Sequence, residues 1–178
     1  MKNILLSILK KLLWLKKHTK GYAILTYHNI LEDDLPRLPD LMSVGYSLFR
    51  DQMNFLLTEF SILSIPEIVY RIKSKIPPDK LYIGVSFDDG YLSHSKLVVP
   101  LLKNLNLPAT FFITTDFADQ ISVPQLEKWK YWIVSSNKII VFNYKNYNQS
   151  VYDLSMNVDK VKFYNKLQSL LKPFVYED

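Results

Sequence analysis

Val85-Ser86-Phe87-Asp88-Asp89-Gly90-Tyr91 closes an apolar run that begins at Leu81, and it ends in two adjacent carboxylates and a glycine. A short apolar run bounded in this way reads as a buried strand whose end lies at the rim of a sheet, where the backbone must turn. Two like charges held that close repel unless a cation, such as a divalent metal or an arginine, sits beside them. The pair therefore reads as one part of a metal-assisted hydrolytic site.

Working outward, short apolar runs at 22–26, 61–65 and 109–114 supply three further strands. A helical stripe (Leu48, Phe49, Met53, Leu56, Leu57, Phe60) follows a predicted cap at Ser47, and Pro66 suits the first turn of a second helix. A third helix over 93–105 turns Leu97, Val98, Leu101 and Leu102 inward, and the polar stretch 29–45 reads as a long loop. Four strands alternating with helices imply a parallel sheet with right-handed crossovers. The strand ends then share one rim, where sites assemble. His28, Asp88, Asp89, Thr114, Thr115 and Asp116 are expected there.

The pattern changes beyond Asp116. A helix over 124–135 carries Trp129, Tyr131 and Trp132. The runs 138–143 and 150–154 read as a hairpin, and Asn157 is expected to cap an amphipathic helix ending at Pro173. Residues 120–172 thus read as an insertion-like α+β segment on a domain spanning 21–178.

The chain has 178 residues, 48% of them hydrophobic, which suffices for a real core. With no cysteine, disulfides, thiolate zinc sites and a cysteine nucleophile are excluded. The net charge is +5, but six lysines and no acid fall in residues 1–20, and the remainder is near neutral. No dispersed nucleic-acid-binding surface is expected. Residues 1–20 read as a basic amphipathic helix. Its uncharged run is too short for a bilayer span or an ordinary signal peptide. Packing on its own domain, lying on a membrane surface and a degraded signal peptide all stay open, so the expected location is cytoplasmic or peripheral at a membrane.

Several motifs occur in order: Leu25-Thr26-Tyr27-His28, Phe49-Arg50-Asp51-Gln52-Met53, Ser86-Phe87-Asp88-Asp89-Gly90-Tyr91, Pro100-Leu101-Leu102 and Leu107-Pro108-Ala109-Thr110-Phe111-Phe112. Over about 22–115 the series resembles the polysaccharide deacetylases, the NodB-homology enzymes of carbohydrate esterase family 4. The resemblance implies an α/β fold, a partial (β/α) barrel of that type, and metal-dependent removal of N-acetyl groups from an acetylated polysaccharide of a cell surface or exopolysaccharide. It implies Asp88 as general base and Asp89 as a ligand of a divalent metal, commonly zinc. His28 is a further candidate ligand; Tyr91, Trp129 and Trp132 are candidates for holding sugar.

The family's His-Ser/Thr-x-x-His metal motif is missing, because no histidine follows His94. The expected domain is incomplete, with zinc held weakly or not at all and with little or no activity. The alternative is a catalytically silent relative that binds a glycan or a partner. A phosphoryl-transfer aspartate site is disfavoured because Gly90 occupies the position its second acid would need. Structural readings stand beside each candidate: Asp88 and Asp89 as a helix N-terminal acid pair, His28 as a hydrogen-bonded rim residue, His94 as an ordinary solvent-facing or cap-region residue, and the tryptophans as core.

Overall fold

The computed structural model describes residues 10, 11, 13–34, 43–115, 125–143 and 149–175, with side chains described from residue 127 in the helix that begins at Gln125 and up to residue 170. The chain divides into two compact units, residues 1–34 with 41–121 and residues 35–40 with 122–178.

In the first unit the sheet forms around one strand. β1 (Gly21–Tyr27), β4 (Ser61–Ile62), β5 (Leu81–Phe87) and β6 (Thr110–Phe111) are all parallel, as the alternation of strands and helices predicts. β1 pairs with β5 along its full length, from Gly21↔Leu81 to Tyr27↔Phe87. β4 lies opposite Tyr82 and Ile83, and β6 opposite Ser86 and Phe87, so the two share the other edge of β5. Every residue of β5 is buried, which is why its sequence is continuously apolar instead of alternating.

One face of the sheet packs on Phe49, Met53 and Leu56 of α2 (Tyr46–Glu59) and on Leu101 and Leu102 of α4 (Val99–Asn104). α3 (Ile65–Lys73) packs by Ile68 near Gly84, where a side chain would crowd it: a Cβ at 84 would stand 2.9 Å from Ile68 Cδ1 and 3.5 Å from Ile24 Cγ1. Ser64 caps α3 by accepting a hydrogen bond from the Glu67 amide, and Pro66 sits in the first turn as expected.

Between residues 29 and 47 the structure corrects two readings of the sequence. The segment 29–45 is not simply a loop: β2 (Asn29–Leu31) and β3 (Ser43–Gly45) form a parallel pair that buries Ile30. Three-residue strands carry too little periodicity to show in the sequence. Ser47 is not the cap of α2, which begins at Tyr46. Instead the Ser47 amide and hydroxyl both donate to the Asp33 carboxylate, so a residue distant in sequence satisfies a donor of the first turn.

The N-terminal helical residues 13–18 (α1), with Lys10 and Lys11 helical before them, rest on this unit through Leu15, which packs against its core. The expectations for residues 1–9 and for Asp116 lie outside the described residues.

The second unit holds α5 (Gln125–Ser135), the antiparallel hairpin β7 (Ile139–Phe142) and β8 (Ser150–Asp153), and α6 (Asn157–Val175). The sequence predicts each of these. Their core is Ile133, Leu154, Phe163, Tyr164 and Leu167. Asn157 is the first helical residue and not the cap; the Met156 carbonyl accepts from the Asp159 and Lys160 amides, and the helix continues past Pro173 to Val175.

Gly84→Val is expected to lower stability by about 1–3 kcal/mol through overpacking between β5 and α3. Gly84→Ala costs less, because the nearest atom is the free end of the Ile68 side chain. Urea unfolding of the two variants checks this; equal midpoints would contradict the packing described.

Candidate functional site

The β1–β5 register builds the site. Tyr27 pairs with Phe87, so the next residues, His28 and Asp88, emerge side by side at the rim. The Asp88 amide extends the ladder by donating to the Tyr27 carbonyl at 2.9 Å. His28 Nε2 then stands 3.9 Å from Asp88 Oδ2, both side chains about one-third exposed. The strand ends expected to share one rim do bring these two groups together.

The chain turns sharply at the next two residues. Asp89 has φ +73° and Gly90 φ +77°. Aspartate tolerates this left-handed region better than most residues, and glycine adopts it freely. A Cβ on Gly90 would also meet Ile113 Cγ2 at 2.9 Å. Position 90 thus needs glycine twice over, for backbone conformation and for space. Thr114 and Thr115 follow Ile113 and are exposed.

Residues just after the turn tie back to the end of β1. Ser93 Oγ hydrogen-bonds Asn29 Oδ1 at 3.0 Å, and His94 Nε2 donates to the His28 carbonyl at 2.6 Å. His94 opens a π-helical turn, His94–Val98, that leads into α4. Such turns are rare and frequent at functional sites.

His94 corrects the expectation of a solvent-facing residue, being only 4% exposed. Its ring packs against Phe87, Tyr91 and Phe111. Nδ1 is buried with no hydrogen-bond partner, which fits a neutral imidazole carrying its proton on Nε2. The signal was present in the sequence: His94, Val98, Leu101 and Leu102 form one helical stripe, and a histidine on that stripe points inward. Tyr27 is held similarly. Its hydroxyl donates to Gln52 Oε1 at 2.8 Å, its ring packs on Phe49 and Phe87, and burial pushes its pKa up.

Tyr91, half-buried, gives its carbonyl to the His94 amide. Trp129 and Trp132 belong to the second unit, where they meet edge to face; Trp129 packs on that unit's core and Trp132 is exposed. Among the described residues, no three histidine, aspartate or glutamate side chains gather to hold a metal ion.

His94→Ala is expected to cost about 2–4 kcal/mol, from lost packing and an unpaired His28 carbonyl. Burial, the largest influence, holds the His94 pKa below its ordinary 6.5, against the hydrogen bond that the ring donates to the His28 carbonyl and the Asp89 and Asp88 charges, which favour the protonated ring. As pH falls below 6.5, the unfolded chain therefore binds a proton that the folded chain does not, and stability declines. Denaturation curves at about pH 7.5 and about pH 5.5 should show this component vanish in His94→Phe.

The polysaccharide deacetylase family matches residues 75–131, about a third of the chain, with the acid-bearing turn inside the match. No curated protein matches the chain significantly. Among solved structures, the chain is similar to IcaB from Ammonifex degensii at 24% identity and TM-score 0.46, over 53% of this chain and 38% of that one. It is similar to the de-N-acetylase from Aggregatibacter actinomycetemcomitans at 22% identity and TM-score 0.47, over 82% and 50%. It is also similar to the Streptococcus pyogenes deacetylase PplD, solved in complex with acetate, at 24% identity and TM-score 0.47, over 62% and 50%. The chain thus spans half or less of each of these proteins. The stretch that matches the polysaccharide deacetylase family takes in Asp88, Asp89 and Gly90.

Proposed function

We propose that this chain provides the acid-bearing rim of a deacetylase acting on an acetylated amino-sugar polysaccharide, and that by itself it turns over little or no substrate. The observation that carries this reading is the Asp88–Asp89 turn beside His28, inside the segment matched by the family. Asp88 is the general base. It is partly solvent-exposed and lies at the open end of the sheet, where it can accept a proton from water as that water attacks an acetamide carbonyl. His28 lies close enough to hold the carboxylate in place.

A divalent metal would fall to Asp89 and His28. Catalytic zinc takes three protein ligands and an open position. The described residues bring no such set together, so the fit to a catalytic metal is incomplete. Tyr91 is the proposed sugar contact at the rim, and exposed Trp132 in the second unit is a proposed stacking surface. The incomplete ligand set also favours a second reading, a catalytically silent relative that binds acetylated glycan through the same rim.

Purified chain incubated with acetylated amino-sugar oligomers, with and without Zn²⁺ or Co²⁺, should release no acetate above background. The oligomers should nevertheless shift the Asp88, Asp89, Gly90 and Tyr91 amide resonances more than their deacetylated counterparts do. Metal-dependent acetate release that falls about 10²–10⁴-fold in Asp88→Asn would show that the chain holds a complete site. Unmoved amide resonances would remove the glycan reading in both its forms.

A further inference from the structure

α1 has two sides. On one, Leu15 packs into the core of the first unit, and Lys16 Nζ bonds Glu59 Oε2 at 3.0 Å while lying 5.5 Å from the centre of the Phe60 ring. This contact fixes the helix on its own domain, one of the arrangements open from the sequence. On the other side Leu13 is 40% exposed and Trp14 59%. The Trp14 indole stacks on the His18 ring at 4.8 Å, and His18 Nδ1 contacts the Trp14 carbonyl at 2.7 Å, so the exposed aromatic face is held in place. Lys10, Lys11, Lys17 and Lys20 are exposed around it, and none is paired with a carboxylate among the described residues.

We propose that this outward side of residues 10, 11 and 13–20 is a docking surface for an anionic lipid bilayer. Charge complementarity singles out the occupant. Residues 1–20 contain six lysines and no acid, and beyond them 16 basic residues face 17 acidic ones, so the positive charge of the chain is concentrated here. Lysines at a bilayer surface are attracted by acidic headgroups, and tryptophan with a neighbouring leucine favours the headgroup–acyl boundary. A nucleic acid would use the lysines but would give Leu13 and Trp14 no apolar phase to enter. No described helix is long and apolar enough to cross a membrane.

The position of the surface matters. α1 leads directly into Gly21, where β1 starts, and contacts Glu59 and Phe60 just before β4. It therefore sits at the strand-starting end of the sheet, whereas His28 and Asp88 sit where β1 and β5 end, about 20 Å away along seven-residue strands. α1 and the acid-bearing rim thus lie at opposite ends of the strands. The docking itself is independent of what that rim does.

The test is co-sedimentation of the full chain with vesicles of pure phosphatidylcholine and of phosphatidylcholine with about 30% phosphatidylglycerol. Binding to the anionic vesicles should be at least about tenfold stronger and should fall as salt rises from about 50 to about 500 mM. The double variant Lys10→Glu/Lys17→Glu should lose about tenfold or more of that binding. Trp14→Ala should lose severalfold, and the wild-type fluorescence minus that of Trp14→Phe should shift to the blue on anionic vesicles. All these side chains are exposed, so unchanged thermal melts are expected and confirm folding. Equal binding to both vesicle types, no binding to either, or a charge-reversal variant that binds like wild type would overturn the proposal. So would binding to a short DNA duplex as tight as to the anionic vesicles, which would make the surface a general anion patch.

Discussion

β5 is buried on both faces and paired on both edges, and the placement of every rim residue follows from that. A strand enclosed in this way has little freedom of register, since a slip of one residue would exchange the side chains facing α2 and α3. Its fixed end sets Asp88 beside His28, and the chain must then leave through Asp89 and Gly90 in the left-handed region. Backbone strain of this kind persists only where the surroundings determine it. Here the determinants are specific: Asp88 is held by the Tyr27 carbonyl, Ser93 by Asn29, and His94 by the His28 carbonyl. The acid pair sits between a rigid strand and a pinned helix.

The aromatic cluster beneath the rim links the separate motifs into one object. Phe87 touches Tyr27, Phe49, His94 and Phe111, one ring from each of four segments far apart in sequence. Gln52 reaches the same cluster through the Tyr27 hydroxyl. Motifs that look unrelated in the sequence are thus the parts of one support under the Asp88–Asp89 turn.

That contrast explains what could be read from the sequence. β5 was legible because continuous burial writes a continuous apolar run, and α3 because Pro66 marks its first turn. The pairing of His28 with Asp88 was legible because parallel strands bring their ends to one rim. What escaped was built from single long-range contacts. Asp33 serves the first turn of α2 from across the chain, Ile30 lies buried within a polar stretch, and the His94 ring fills a space made by three other segments. None of these leaves a periodic trace, and the histidine's place on the Val98 and Leu101 stripe was the only local hint.

The separation of β1 from β5 bears on how the molecule is made. Thr26 and Ser86, hydrogen-bonded at 3.0 Å, are 60 residues apart in sequence. Non-local parallel pairing of this kind is slow to form, because the intervening chain must close a loop before any contact rewards it. On the ribosome, β1 and α2 must wait until Phe87 has emerged before the sheet can assemble. During that interval Leu25, Phe49, Met53 and Leu56 have no strand to cover them, and the nascent chain passes through a stage in which chaperone capture competes with aggregation.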